Sequence, residues 1–280
     1  AYMFGDYDAY PGFYSSNNLG FRCALNSPEA KGDQGAGPIE GEVKAPTYVP
    51  ASEANLKAWL EYYRYEKTPL EAKVIEVKET DEWRREKITY VGAEGERAIA
   101  YLYLPKNFSR PLQVIQFWPS SAVRSRFVSL PENIERGLAP FIKSGRAVLG
   151  IVLKGFIERD WPANYTAPSV TQAEYLDVTV NRITDLRRGL DYLETRGDID
   201  MSRIAYYGAS VGGYGLIMPA VETRYRTVIL WGGGVWKSNL QNIPEANPIN
   251  FAPYIRGPKL MIQGLYDEAT RLKIESEPLY

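Results

Sequence analysis

The 280-residue sequence contains no histidine and a single cysteine. The first absence removes the commonest general base and the commonest transition-metal ligand, so a mechanism that needs an imidazole cannot be completed within these residues. The second excludes an intrachain disulfide framework and a multi-thiolate zinc site. Charge of either sign is not in excess: 33 Lys and Arg face 34 Asp and Glu, and no basic run is present to neutralise phosphates or anionic lipid. Long apolar runs are missing too. Stretches such as 147–153 fall far below the roughly 20 residues that cross a bilayer, and no basic n-region precedes an apolar core at the start. The sequence therefore points away from nucleic acid and from a membrane segment in this chain, and nothing in it asks for a cofactor or a metal.

What is present is an ordinary globular composition, 45% hydrophobic, 24% charged and 13% aromatic, in a chain long enough for one large domain or two smaller ones. Residues 1–25 are rich in Tyr, Phe, Gly and Asn and end in a short strand, Leu19-Gly20-Phe21-Arg22-Cys23-Ala24-Leu25. Residues 26–52 hold four Gly and four Pro and lack Phe, Trp, Leu and Met, which is the profile of a linker. A boundary between folded units is expected there. Residues 53–67 then carry Leu56, Trp59, Leu60 and Tyr63 at helical spacing ahead of Pro69, predicting one amphipathic helix.

Beyond Pro69 the pattern turns to strands at 72–77, 87–91, 98–104, 113–118 and 147–153. Helices are expected at 131–143 and after Thr171-Gln172-Ala173-Glu174, a capping box whose helix presents Leu176, Val180, Ile183, Leu190 and Leu193. Apolar strands at 204–207, 227–231 and 259–263 follow. Strands and helices alternating at this interval predict crossover connections and an α/β fold with a mainly parallel sheet, preceded by hairpin-like early strands.

Gly208-Ala209-Ser210-Val211-Gly212 fits G-x-S-x-G between a strand and a helix beginning at Gly213. Such a turn is sharp enough to hold the serine in a strained conformation, and side chains two positions either side would collide. The hydroxyl of Ser210 then projects above the sheet as a candidate nucleophile, while the N–H of Val211 faces a developing oxyanion. A dinucleotide fingerprint fits poorly, because Ser210 stands where the second glycine of that motif belongs. The acid that a serine nucleophile needs is expected after a later strand, and Asp267 occupies such a loop. A second oxyanion donor is expected after strand 113–118; Pro119 has no N–H, which leaves Ser120 or Ser121. Substitution of the base by Lys154, Lys237 or another amine would need a strongly depressed pKa. The loop 155–169, with Phe156, Trp161 and Tyr165, could form a lid or pack over the core. Paired carboxylates such as Glu158 and Asp160 raise a glycosidase alternative, but acids two apart in a loop are usually solvated.

On these residues, 54–280 resembles an α/β-hydrolase of the dienelactone hydrolase and acyl-peptidase-like group, with matching segments at Tyr192-Leu193-Glu194-Thr195-Arg196, at 208–213 and at 264–267. Asn250-Phe251-Ala252-Pro253 and Glu277-Pro278-Leu279-Tyr280 resemble the hydrolase region of certain large bacterial serine/threonine protein kinases. Asn18-Leu19-Gly20-Phe21-Arg22-Cys23-Ala24 is similar to the closing strand of a formylglycine-generating (sulfatase-modifying) enzyme-like domain, which precedes the hydrolase in those proteins. The resemblance implies three parts: a remnant of that domain at 1–25, a linker at 26–52, and a hydrolase domain at 53–280 truncated before its last strand and helix. It also implies that the missing histidine follows Tyr280. The same resemblance implies that Cys23 belongs to the structural motif of the closing strand and is a small buried residue, not one of that domain's reactive cysteine pair. No kinase catalytic-loop His-Arg-Asp or Asp-Phe-Gly is present.

The expected activity is Ser-Asp-His hydrolysis of a small-molecule ester or related acyl bond. Serine in place of the cysteine common in dienelactone hydrolases argues for esterase or peptidase-like chemistry. The alternative from another class is a non-catalytic hydrolase-fold module that binds a ligand or partner, covalently linked to upstream domains. Localisation stays open between the cytoplasm and the outer side of a membrane-anchored parent.

Overall fold

Eight strands pair into one sheet in the order β1-β2-β3-β5-β4-β6-β7-β8. The computed structural model describes residues 49, 51–123, 128–156, 158–159, 171–235, 243–265, 267 and 270–279. The chain divides into two units, Ala1–Lys44 and Ala45–Tyr280. The expectations for 1–25 and for the linker up to 48 lie outside the described residues, as do Trp161 and Tyr165 of the loop, Asp160 and Lys237.

The strands are β1 Lys73–Glu79, β2 Trp83–Val91, β3 Arg97–Pro105, β4 Leu112–Trp118, β5 Ala147–Val152, β6 Ile199–Ala209, β7 Tyr225–Trp231 and β8 Lys259–Ile262. The first three form an antiparallel meander that joins β5 antiparallel, and β5, β4, β6, β7 and β8 run parallel. The early hairpins and later parallel crossovers are those the sequence pattern predicts. β3, β4 and β5 read as nearly continuous apolar runs because both faces of the central sheet are covered.

One face carries α4, Gln172–Glu194, opened by the capping box at Thr171 and Glu174. Gly189 lets this helix approach closely: a Cβ there would lie 2.5 Å from Ile151 Cδ1. The opposite face carries α2, Leu130–Gly137, and α3, Ala139–Lys143, whose Phe141 ring meets Tyr207 edge-on. On the sheet, Gly150 makes room for Ile134 of α2.

Three helix expectations need correction. The predicted helix 53–67 is α1, Glu53–Trp59, followed by a tight 3-10 turn Leu60–Tyr63, after which the chain is extended. Its inward anchors are Leu56 and Tyr63, which the 3-10 turn serves better than continued α-helix because Tyr63 reaches the Glu245 carbonyl at 2.6 Å. The predicted helix 131–143 is two helices, parted at Leu138 because Pro140 supplies no N–H to continue the ladder. The helix expected from Gly213 begins at Ile217 as α5, Ile217–Val221.

Buried ion pairs fasten α4 to its surroundings. Arg224 meets Asp191 at 2.8 Å and Glu222 at 2.7 Å, with both acids almost wholly buried. Arg188 reaches the Thr68 carbonyl at 2.6 Å and Arg187 the Tyr63 carbonyl at 2.7 Å, so the segment after α1 is tied to the same cluster. Burial pushes the Asp191 and Glu222 carboxyls up, but the hydrogen bonds and positive charges around them, those of Arg224 foremost, together outweigh it and both end below the usual carboxylate range. Arg224→Met is expected to destabilise the protein by about 2–3 kcal/mol at neutral pH, somewhat under the usual figure for a broken buried pair because Arg188 and Arg187 still contact the two acids. A depressed folded pKa contributes stability above the unfolded value and loses it as pH falls through the folded one. The gap between wild type and variant in denaturant titrations therefore narrows below about pH 4.

Candidate active site

The turn after β6 is built from steric exclusions. Ser210 has φ +50°, a left-handed conformation that costs a non-glycine residue about 1–3 kcal/mol and persists only when the surroundings enforce it. A Cβ on Gly208 would lie 2.1 Å from the Gly212 carbonyl oxygen, and one on Gly212 would lie 2.2 Å from the Trp118 carbonyl oxygen. Both positions are closed to any side chain. Ser210–Gly212 forms a 3-10 turn, and the Tyr214 N–H donates to the Ser210 carbonyl at 2.9 Å. From below, the buried Tyr206 hydroxyl donates to the Gly212 carbonyl at 2.7 Å, a brace that the motif alone does not reveal.

The end of β4 lies beside this turn, with Trp118 in register with Gly208. After Pro119, Ser120 accepts from the Ala122 N–H through its hydroxyl at 3.3 Å, and Ser121–Val123 forms a second 3-10 turn. Ser120, Ser121, Val211 and Ser210 thus sit at the carboxyl ends of two adjacent parallel strands in the interior of the sheet, with Ser210 partly exposed.

Asp267 follows β8, two strands from β6, and the exit of β7 bridges the interval. Gly233 packs directly on Gly213: a Cβ on Gly233 would lie 2.6 Å from the Gly213 carbonyl oxygen. The neighbouring Gly232, at φ +57°, faces Asp267, whose Oδ2 would be 3.8 Å from a Cβ there. The carboxylate is held at both oxygens, Oδ1 accepting from the Thr270 N–H at 3.0 Å and Oδ2 from Gln263 Nε2 at 3.1 Å. Sequence reasoning missed Gln263, which it placed inside the last strand; β8 ends one residue earlier and frees the amide to turn back toward the acid.

Other candidates are occupied elsewhere. Burial pulls the Lys154 ammonium down, but its ion pairs with Glu96 at 2.7 Å and Glu94 at 2.9 Å outweigh this and hold it above its usual range. Glu158 is paired with Lys87 at 3.0 Å and accepts from Tyr101, which leaves it no role as a free acid. Among the described residues no group of three or more His, Cys, Asp or Glu side chains is placed to hold a metal ion, and no helix is long and apolar enough to cross a membrane.

No family model and no curated protein matches the sequence. Solved structures do. An acetyl xylan esterase from Thermoanaerobacterium sp. superposes with a TM-score of 0.61 at 16% identity, covering 80% of this chain and 82% of that one. One from Paenibacillus sp. gives 0.57 at 19% identity, over 78% and 80%. A Klebsiella pneumoniae protein described as a dienelactone hydrolase gives 0.50 at 17% identity, over 67% and 75%. Sheet order, the two helical layers and these superpositions agree: the chain has the α/β-hydrolase fold.

Proposed function

We propose that this chain is the greater part of a serine hydrolase that cleaves small-molecule esters or related acyl bonds. The observation that carries the reading is Ser210 at positive φ in a turn whose flanking glycines cannot bear side chains. A serine with no other use for that strain would be expected to relax or be replaced by glycine. The esterase names of the structural neighbours support an ester substrate.

In this reading the Ser210 Oγ attacks the acyl carbon while its proton passes to an imidazole, and the carbonyl oxygen becomes an oxyanion. The N–H groups of Val211 and of Ser120 or Ser121 hold that oxyanion. Collapse breaks the bond to the leaving alcohol, which takes the proton back; water, activated by the same imidazole, then releases the acid and restores Ser210. Asp267 orients the imidazole and stabilises its charged form. Since the 280 residues contain no histidine, the imidazole comes from outside them. The resemblance of the first residues and of the late hydrolase segments to a multidomain kinase-associated architecture supports placing the domain within a longer polypeptide.

The test is covalent. In the natural full-length polypeptide a fluorophosphonate probe is expected to label Ser210, with labelling abolished in Ser210→Ala and the circular dichroism spectrum unchanged. Labelling that survives the alanine substitution assigns the nucleophile elsewhere. A second reading, a non-catalytic ligand-binding module, is favoured by the absence of histidine; it predicts no labelling and no ester turnover in either protein.

A further inference from the structure

Thr270 is almost fully buried and stands at the crossing of four hydrogen bonds. Its N–H donates to Asp267 Oδ1 at 3.0 Å, its carbonyl accepts from Gln263 Nε2 at 2.6 Å, and its hydroxyl donates to the Gly232 carbonyl at 3.1 Å. The fourth partner is the Tyr214 hydroxyl. A threonine hydroxyl has one proton, and Gly232 receives it, so Tyr214 is the donor in that contact. Burial holds the Tyr214 phenol above its usual pKa, which keeps the donor protonated. Tyr214 also donates its own N–H to the Ser210 carbonyl, and so belongs to the nucleophile turn. Gln263 completes the set by giving its amide to both the Thr270 carbonyl and Asp267 Oδ2.

We infer that Gln263 is the positioning residue that aims the Asp267 carboxylate, and that Thr270 and Tyr214 lock that aim to the turn carrying Ser210. The inference rests on the serine-hydrolase reading and adds to it a specific device: acid loop and nucleophile turn are held in one frame by neutral donors. The Gln263 amide and the Thr270 N–H are neutral, so they hold the two oxygens without bringing a positive charge that competes with an imidazolium, as an arginine in the place of Gln263 would. Among the described residues, Asp267 and Glu275 are charged groups that act on Tyr214, and Arg271 follows Thr270; Glu275 accepts the Arg271 N–H at 2.7 Å and pairs with its guanidinium at 3.4 Å.

The experiment uses the full-length polypeptide and a p-nitrophenyl ester. Gln263→Met keeps the volume and removes both donor bonds. It is expected to lower kcat by about 10- to 100-fold, the scale of a misdirected catalytic group, with KM within about twofold. The acid limb of its kcat/KM profile moves to lower pH, because a misaimed carboxylate stabilises the imidazolium less. Gln263→Glu moves the same limb to higher pH, because a second carboxylate stabilises it more. Opposite shifts are a signature that loss of packing does not produce. If Gln263→Met does not fold, Tyr214→Phe carries the test, with a smaller kcat loss, while Thr270→Ser retains the bonds and the rate. Unshifted limbs and near-normal kcat in the Gln263 variants, with Ser210→Ala inactive, overturn the positioning role alone. Turnover that persists in Ser210→Ala overturns the hydrolase reading and this inference with it.

Discussion

Residues 1–280 on their own are expected to hydrolyse short p-nitrophenyl esters by no more than about 10³- to 10⁴-fold over water, the residue left by binding and an oxyanion site when one member of a Ser-His-Asp set is missing. The reason is chemical. A serine hydroxyl is un-ionised near neutral pH, and the strained turn presents the oxygen without removing its proton. The described amine considered as a substitute base, Lys154, is committed to Glu96 and Glu94 and carries its proton more tightly than a free lysine. Under the serine-hydrolase reading, a polypeptide in which a histidine completes the site is expected to show a kcat higher by about 10⁶-fold, the usual cost of losing the base. The comparison is made at equal protein concentration with Ser210→Ala as the blank. Efficient turnover by residues 1–280, lost in that blank, would falsify the triad reading and require another base.

The parts of this molecule that were legible in the sequence are those set by local sterics and periodicity. G-x-S-x-G could be placed because the collision that forbids a side chain at Gly208 is with Gly212, four residues on, whereas the Trp118 carbonyl that closes Gly212 comes from the neighbouring strand and is not visible in the motif. β3 to β7 could be placed because a sheet covered on both faces needs apolar runs bounded by turns. The capping box at Thr171 could be placed because its two reciprocal bonds join residues three apart. What escaped the sequence depends on partners far along the chain. Helix 53–67 breaks at Leu60 to bring Tyr63 onto Glu245, 182 positions away. Gln263, Thr270 and Tyr214 look like ordinary strand, loop and helix residues until the glycines of the β7 exit bring the Ser210 turn and the Asp267 loop together. Tyr206 hides its role for the same reason, being one of several tyrosines in a strand until its hydroxyl is seen under Gly212.

Asp267→Asn is expected to lower kcat by about 10⁴-fold while leaving KM little changed. Two effects act in the same direction. Removing the charge withdraws the stabilisation of the imidazolium that forms as Ser210 attacks. The amide also cannot meet its surroundings: the Thr270 N–H and the Gln263 amide both donate to Asp267, one to each oxygen, and an asparagine offers only one acceptor. Turned toward the Thr270 N–H its NH₂ faces a donor, and turned toward Gln263 it is met only if that amide rotates to offer its oxygen and gives up the Thr270 carbonyl, so the frame is loosened as well as the group neutral. Ser210 in this variant is expected to react with fluorophosphonate far more slowly but to completion, because the nucleophile turn is held by its own glycines and by Tyr206. Single-turnover rates on the full-length polypeptide decide the matter, with thermal unfolding as the control for stability. A loss below about tenfold would place the acid elsewhere and leave the Gln263 and Thr270 bonds as loop architecture only.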